Sequence, residues 1–175
     1  GAGAWGSGGN LNTAKSRMGS AGNQTAGLVA GGEPTAAPDQ TEEYNGTAWS
    51  EVNELNTGRI ALAGAGTQTA AIVAGGTPPD RDECESYDGT NWTEVADLNT
   101  GRYYFKGVGT QTAALVFAGR HAPSATNANA ESWDGSSWTE VADLNTARRT
   151  VSGAGIKTSA LCIGGEPPRT TAVEE

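Results

Sequence analysis

Histidine occurs once in 175 residues, as His121, and cysteine twice, as Cys84 and Cys162. The two thiols have no metal-type spacing, and a lone histidine has no second ligand or Ser/His/Asp partner in view, so neither zinc chemistry nor a nucleophilic triad is expected. Cys162 stands where other parts of the chain carry Val29, Val73 and Val116, so it reads as a small buried hydrophobe rather than half of a bridge to Cys84. Basic residues are scarce as well: 11 against 20 acidic ones give a formal charge of −9. A phosphate backbone would meet a repulsive field, so nucleic acid is not an expected partner. No apolar run approaches the roughly 18 residues that a membrane-spanning helix needs, so no membrane insertion is expected. Localisation stays open on composition alone.

Glycine, by contrast, is abundant at 26 residues, and much of it recurs in register. The segment Trp92 to Arg102 is nearly repeated at Trp49 to Arg59 and at Trp138 to Arg148, and more loosely at Trp5 to Lys15. The four tryptophans lie 44, 43 and 46 residues apart. That period belongs to four-stranded propeller blades rather than to helical repeats. In the second repeat, Ile60 to Gly66 reads as a first strand and Ala70 to Ala74, stopped by Gly75-Gly76, as a second. Glu83 to Tyr87 reads as a third, Asp88-Gly89 as a two-residue hairpin, and Trp92 to Val95 as the fourth. The last repeat stops inside its third strand, and the Trp5 strand is then free to complete it. The expectation is a single all-β domain over residues 1–175, a four-bladed propeller of antiparallel blades closed by the N-terminal strand. The alternative is that the four repeats are part of a larger array. The first strands are rich in glycine (Gly64, Gly66, Gly107, Gly109, Gly153, Gly155), which suits inner strands crowded about a narrow axis.

Paired glycines after an apolar strand (Gly31-Gly32, Gly75-Gly76, Gly164-Gly165), a Glu and a Tyr before a Trp (Glu42 with Tyr44, Glu85 with Tyr87), and an arginine beyond (Arg59, Arg102, Arg148) resemble kelch repeats over essentially the whole chain. Repeat three departs from the pattern with Ala118-Gly119 and Trp133, and Lys15 replaces the arginine in repeat one. The uniform wording is similar to Gly-rich kelch-like repeats of environmental bacterial and phage sequences, which implies an extracellular, cell-surface or virion setting. Ser86 to Trp92 and Ser132 to Trp138 also resemble the Asp box of sialidase-type propellers, one residue short. The box is a turn element and does not by itself imply hydrolysis.

Repeated residues distribute one group around a ring, whereas a reaction centre needs unlike groups converging. The tryptophans therefore read as blade packing, and the Asn-Thr pairs such as Asn56-Thr57 as turn formers bonded to their own backbone. The repeated arginines read as partners of acidic neighbours or blade carbonyls. Function is expected where the repeats disagree, in the loops joining second to third strands: Glu33 to Gln40, Thr77 to Asp82, Arg120 to Ala130 and Glu166 to Thr171. On that face Asp80, Arg81, Arg120, His121 and Arg169 supply charge, and Tyr103 and Tyr104 either offer an aromatic platform or fill a gap between blades. No catalytic residue, cofactor or metal is assigned. The expected function is a non-catalytic module binding a protein partner; glycan binding is the alternative, and a sialidase-like or other hydrolase comes third.

Overall fold

The computed structural model describes residues 6–33, 38–121, 123 and 125–175. Four antiparallel sheets follow one another around a common axis, making a four-bladed β-propeller with no helix among the described residues. Blade one holds β1 (Gly19–Asn23), β2 (Ala26–Ala30), β3 (Thr41–Tyr44) and β4 (Trp49–Val52). Blade two holds β5 (Ala63–Thr67), β6 (Ala70–Gly76), β7 (Arg81–Tyr87) and β8 (Trp92–Val95). Blade three is built from β9 (Lys106–Thr110), β10 (Ala113–Phe117), β13 (Ala130–Trp133) and β14 (Trp138–Val141); between its second and third strands lies a small extra hairpin, β11 (Arg120–His121) and β12 (Ala125–Thr126). Blade four has β15 (Ser152–Ile156), β16 (Ser159–Ile163) and β17 (Val173–Glu174) among the described residues. The closing strand expected at Trp5 lies outside them.

The inner strands stand side by side, β1 against β5, β5 against β9, and β9 against β15. Glycine makes this approach possible: a Cβ on Gly64 would lie 2.6 Å from the Ser20 carbonyl oxygen, and one on Gly107 would lie 3.1 Å from that of Gly64. Strand alternation then sends one row of side chains to each neighbouring blade. Leu28 and Ala30 of blade one meet Ala71, Val73, Tyr87 and Trp92 of blade two. Ile72, Ala74 and Cys84 meet Ala114, Val116, Trp133 and Trp138. Phe117 and Ala130 meet Cys162 of blade four. Both cysteines are buried and free, and burial pushes the Cys84 thiol up to about 12.

Two expectations need correction. The first strand of blade two begins at Ala63, because Ile60 makes only an isolated bridge with Thr77 and Ala61 takes φ 57°. The equivalent residues Arg17, Tyr104 and Thr150 have φ 58°, 56° and 55°. This kink turns each backbone N–H toward the preceding blade: Ala61 donates to the Arg17 carbonyl at 2.7 Å, Tyr104 to Ala61 at 3.1 Å, and Thr150 to Tyr104 at 2.8 Å. The outer hairpins are also longer than two residues. In blade two the loop is Asp88 to Asn91, where the Asp88 Oδ1 accepts the N–H of Thr90 at 2.8 Å and of Asn91 at 2.7 Å. These bonds hold the fully exposed Asp88 carboxyl below its ordinary range, and a like set at Ser136 and Ser137 does the same for Asp134. The Asp-box-like residues are therefore engaged in turns.

Candidate functional site at the axis mouth

Each blade is anchored by a carboxylate, buried in the first three blades and partly exposed in the fourth, and these anchors absorb most of the polar residues that recur in the sequence. In blade two, the Glu85 Oε2 accepts the Asn56 N–H at 2.8 Å and the Asn56 Nδ2 at 2.9 Å, while the Oε1 takes the Arg59 Nη2 at 2.9 Å. Glu131 holds Asn99 and Arg102 in the same way, Glu174 holds Asn145 and Arg148, and Glu42 holds Asn12 and Lys15. The expectation that the asparagines bond their own backbone is thus corrected: their amides reach the glutamate and the tryptophan carbonyl of the blade that follows. The arginine reading holds on both counts, since Arg59 and Arg102 also donate to the carbonyls of Glu83 and Asn129. Burial lowers both guanidinium pKa values, and the facing glutamates work against that shift. The paired glycines serve the same joint: Gly76 N–H donates to the Arg102 carbonyl at 2.8 Å with φ 118°, and a Cβ on Gly75 would lie 2.6 Å from that oxygen.

What the anchors leave over gathers at one end of the axis. The kinked residues Arg17, Ala61, Tyr104 and Thr150 ring the mouth, and Met18, Leu62, Phe105 and Val151 line the depression with them. Here the repeats differ. Tyr103 and Tyr104 stack with ring centroids 5.1 Å apart and planes inclined at 55°. The Arg17 guanidinium, from blade one, lies 5.2 Å from the Tyr104 ring centroid of blade three, so it crosses the mouth. Arg120 lies 5.8 Å from the Tyr103 ring, and those two residues exchange backbone hydrogen bonds at 2.9 and 2.8 Å. The result is a continuous Arg17–Tyr104–Tyr103–Arg120 stack, held by cation–π attraction at both ends. Glu33 steadies Arg17 at 2.6 Å, whereas the Arg120 Nε is shielded from solvent and has no hydrogen-bond partner among the described residues.

The structure therefore brings together three of the seven residues expected from sequence, Tyr103, Tyr104 and Arg120. His121 follows Arg120 in β11 and pairs with Ala125. Arg169 lines an adjoining depression with Thr150, Gly165 and Glu166. Arg81 is paired with Glu83 at 2.8 Å, and its backbone carbonyl receives the Arg102 N–H; Asp80 lies just before it at the end of blade two's loop. Sequence reasoning missed Arg17, which belongs to no variable loop. Its signal was its alignment with Ala61, Tyr104 and Thr150, a column of unlike residues that already held one of the two tyrosines singled out. Among the described residues no group of three or more His, Cys, Asp or Glu is placed to hold a metal ion. No family model matches the sequence, and no curated protein matches it.

Proposed function

We propose that this propeller is a non-catalytic binding module of kelch type that grips a protein partner at the axis mouth, within a cell-surface or virion assembly. The observation that carries the reading is the Arg17–Tyr104–Tyr103–Arg120 stack, the place where unlike side chains from different blades converge on an otherwise repeated frame. Stacked tyrosines and arginines offer large contact area with little side-chain entropy left to lose, the composition favoured at interface anchors. The repeated Glu, Asn and Arg groups that could otherwise suggest acid–base work are engaged in the blade anchors.

A second reading, glycan binding, draws on the same half-buried tyrosine pair, whose ring faces suit the apolar face of a sugar. One experiment separates the two. The purified chain and its Tyr103→Ala/Tyr104→Ala variant are run on a glycan array and, in parallel, photo-crosslinked to candidate surface-protein extracts from position 120. Protein crosslinks that the double variant loses support the first reading. Selective glycan signals that the variant loses transfer the site to the second, and signals of either kind unaffected by the variant place binding elsewhere.

A further inference from the structure

The outer hairpins of the first three blades share one turn, and blade one alone builds it with an amide. In blades two and three the turn opens with Asp88-Gly89 and Asp134-Gly135; in blade one it opens with Asn45-Gly46. The Asn45 Oδ1 accepts the N–H of Thr47 and of Ala48, each at 3.0 Å, the same pair of bonds that Asp88 makes with Thr90 and Asn91. Asn45 is also the only asparagine of the chain that precedes a glycine. Elsewhere the amides are engaged: Asn56 and Asn99 reach a glutamate and a tryptophan carbonyl, and Asn53 is bonded to Asn91. The Gly46 N–H, by contrast, meets no acceptor among the described residues. Both residues of the pair are exposed, and the space beside the Gly46 α-carbon is open: a Cβ built there would lie 3.5 Å from its nearest neighbour, the Thr25 carbonyl oxygen.

We propose that this turn is a self-modification site, at which Asn45 is converted without an enzyme to the aspartate that blades two and three already carry. The reaction needs an amide nitrogen able to lose its proton, a polarised carboxamide, and room for a five-membered ring. Gly46 supplies the first and, having no Cβ, the third; the Thr47 and Ala48 N–H groups polarise the Asn45 Cγ=O bond. The deprotonated Gly46 nitrogen attacks Cγ, the Cγ–Nδ2 bond breaks, and ammonia leaves with that electron pair and a proton from water, giving a succinimide. Water then opens the ring. Breaking the bond between Cγ and the Gly46 nitrogen gives aspartate on the original backbone; breaking the bond between the α-carbonyl carbon and that nitrogen gives isoaspartate, with one methylene more in the main chain. The folded turn favours the first product. An aspartate here keeps an acceptor for Thr47 and Ala48 and strengthens both bonds by its charge, as the lowered carboxyl pKa values of Asp88 and Asp134 illustrate. An isoaspartate moves Cγ into the main chain, so that acceptor is lost and the Asn45 N–H bond to the Ala48 carbonyl, 3.1 Å long, no longer closes.

The test incubates the purified full chain at pH 7 and pH 8, in buffer and in urea, and follows its tryptic peptides by mass spectrometry with electron-transfer fragmentation, which separates aspartate from isoaspartate. Conversion at Asn45 is expected to run at least about tenfold faster than at any other asparagine, since only here does no Cβ shield the attacking nitrogen. It should be faster at pH 8, because that nitrogen must first lose its proton. Aspartate should be the main product of the folded chain and isoaspartate that of the chain in urea. An unchanged Asn45, faster conversion elsewhere, or the same product ratio in buffer and in urea would each overturn the proposal. Asn45→Asp carries the product from the start, and its Tm at pH 7 should equal or exceed that of the parent. A lower Tm would show that the turn does not accept aspartate, and would overturn the proposal independently of any rate.

Discussion

At the scale of the residue, the fold is held by four carboxylates given three or more donors each, three of them (Glu42, Glu85 and Glu131) taken out of water and the fourth, Glu174, partly exposed. Such a group is tolerable when every lone pair is satisfied and expensive when one partner is removed. Glu42 is the member whose titration can be followed. Burial resists its ionisation, but the Asn12 N–H and the Lys15 ammonium at 3.0 Å outweigh that and hold its carboxyl below the ordinary 4.5. A folded pKa below the unfolded one contributes stability that is complete above the unfolded value and is lost as pH falls through the folded value. Unfolding free energy from urea titrations should therefore be insensitive to this group from pH 7 to about pH 5 and decline below about pH 4.5. Glu42→Gln should be less stable than the parent at pH 7 and should decline less steeply on acidification. Parallel declines in the two proteins would remove Glu42 from the acid response.

At the scale of the element, a blade is defined by how closely its inner strand can approach the next one. The chain writes that requirement as glycine, and the period of the tryptophans together with these glycines made blade number, strand order and the propeller class legible before any coordinates. What stayed hidden has a physical reason in each case. The left-handed kink at Arg17, Ala61, Tyr104 and Thr150 is carried by residues with no preference for positive φ, and in the last three the N–H it turns outward is taken by a carbonyl of the preceding blade, a partner that lies outside the segment. The role of Asn56 depends on Glu85, 29 residues away, and no local pattern shows that distance closing. Gln68 and Gln111, which donate to the Tyr44 and Tyr87 carbonyls of the preceding blade at 2.7 and 2.6 Å, look from sequence like ordinary turn residues. Gly64→Ala would place a methyl group 2.6 Å from the Ser20 carbonyl and 2.7 Å from its nitrogen, rigid backbone atoms that must move apart. A loss of about 1–3 kcal/mol is expected, in the range for overpacking. Gly46→Ala, where the nearest atom is 3.5 Å away but φ is 92°, should lose about 1 kcal/mol from backbone strain alone. Equal losses in the two variants would mean that close approach of β1 and β5 is not what fixes the glycine.

At the scale of the molecule, the ring is not uniform around its circumference. Among the described residues the large apolar side chains left exposed are Val141, Ile156, Leu161, Ile163 and Val173, four of them on blade four and one at its border. The inner strands of blade four and blade one lack the close approach that joins β1 to β5, β5 to β9 and β9 to β15, and no bond from Arg17 to Thr150 continues the series that links the other kinks. Ser20 stands in the column that glycine occupies in β5, β9 and β15, so a side chain is present on the very strand that would close the circle. The residues before β1 must then bear much of the joint. Asn12 and Lys15 supply every side-chain and linker donor that Glu42 has among the described residues apart from the Thr13 N–H at 3.4 Å. Removing residues 1–15 would strand a buried carboxylate, a loss of about 3–5 kcal/mol, and for a chain of this size would lower Tm by roughly 10 °C. Removing residues 1–9 keeps Asn12 and Lys15 and should lower Tm by less. Scanning calorimetry of the two truncations against the parent separates the contributions: if they melt together, the Glu42 anchor adds nothing beyond what the first nine residues provide, and the joint lies in that segment alone.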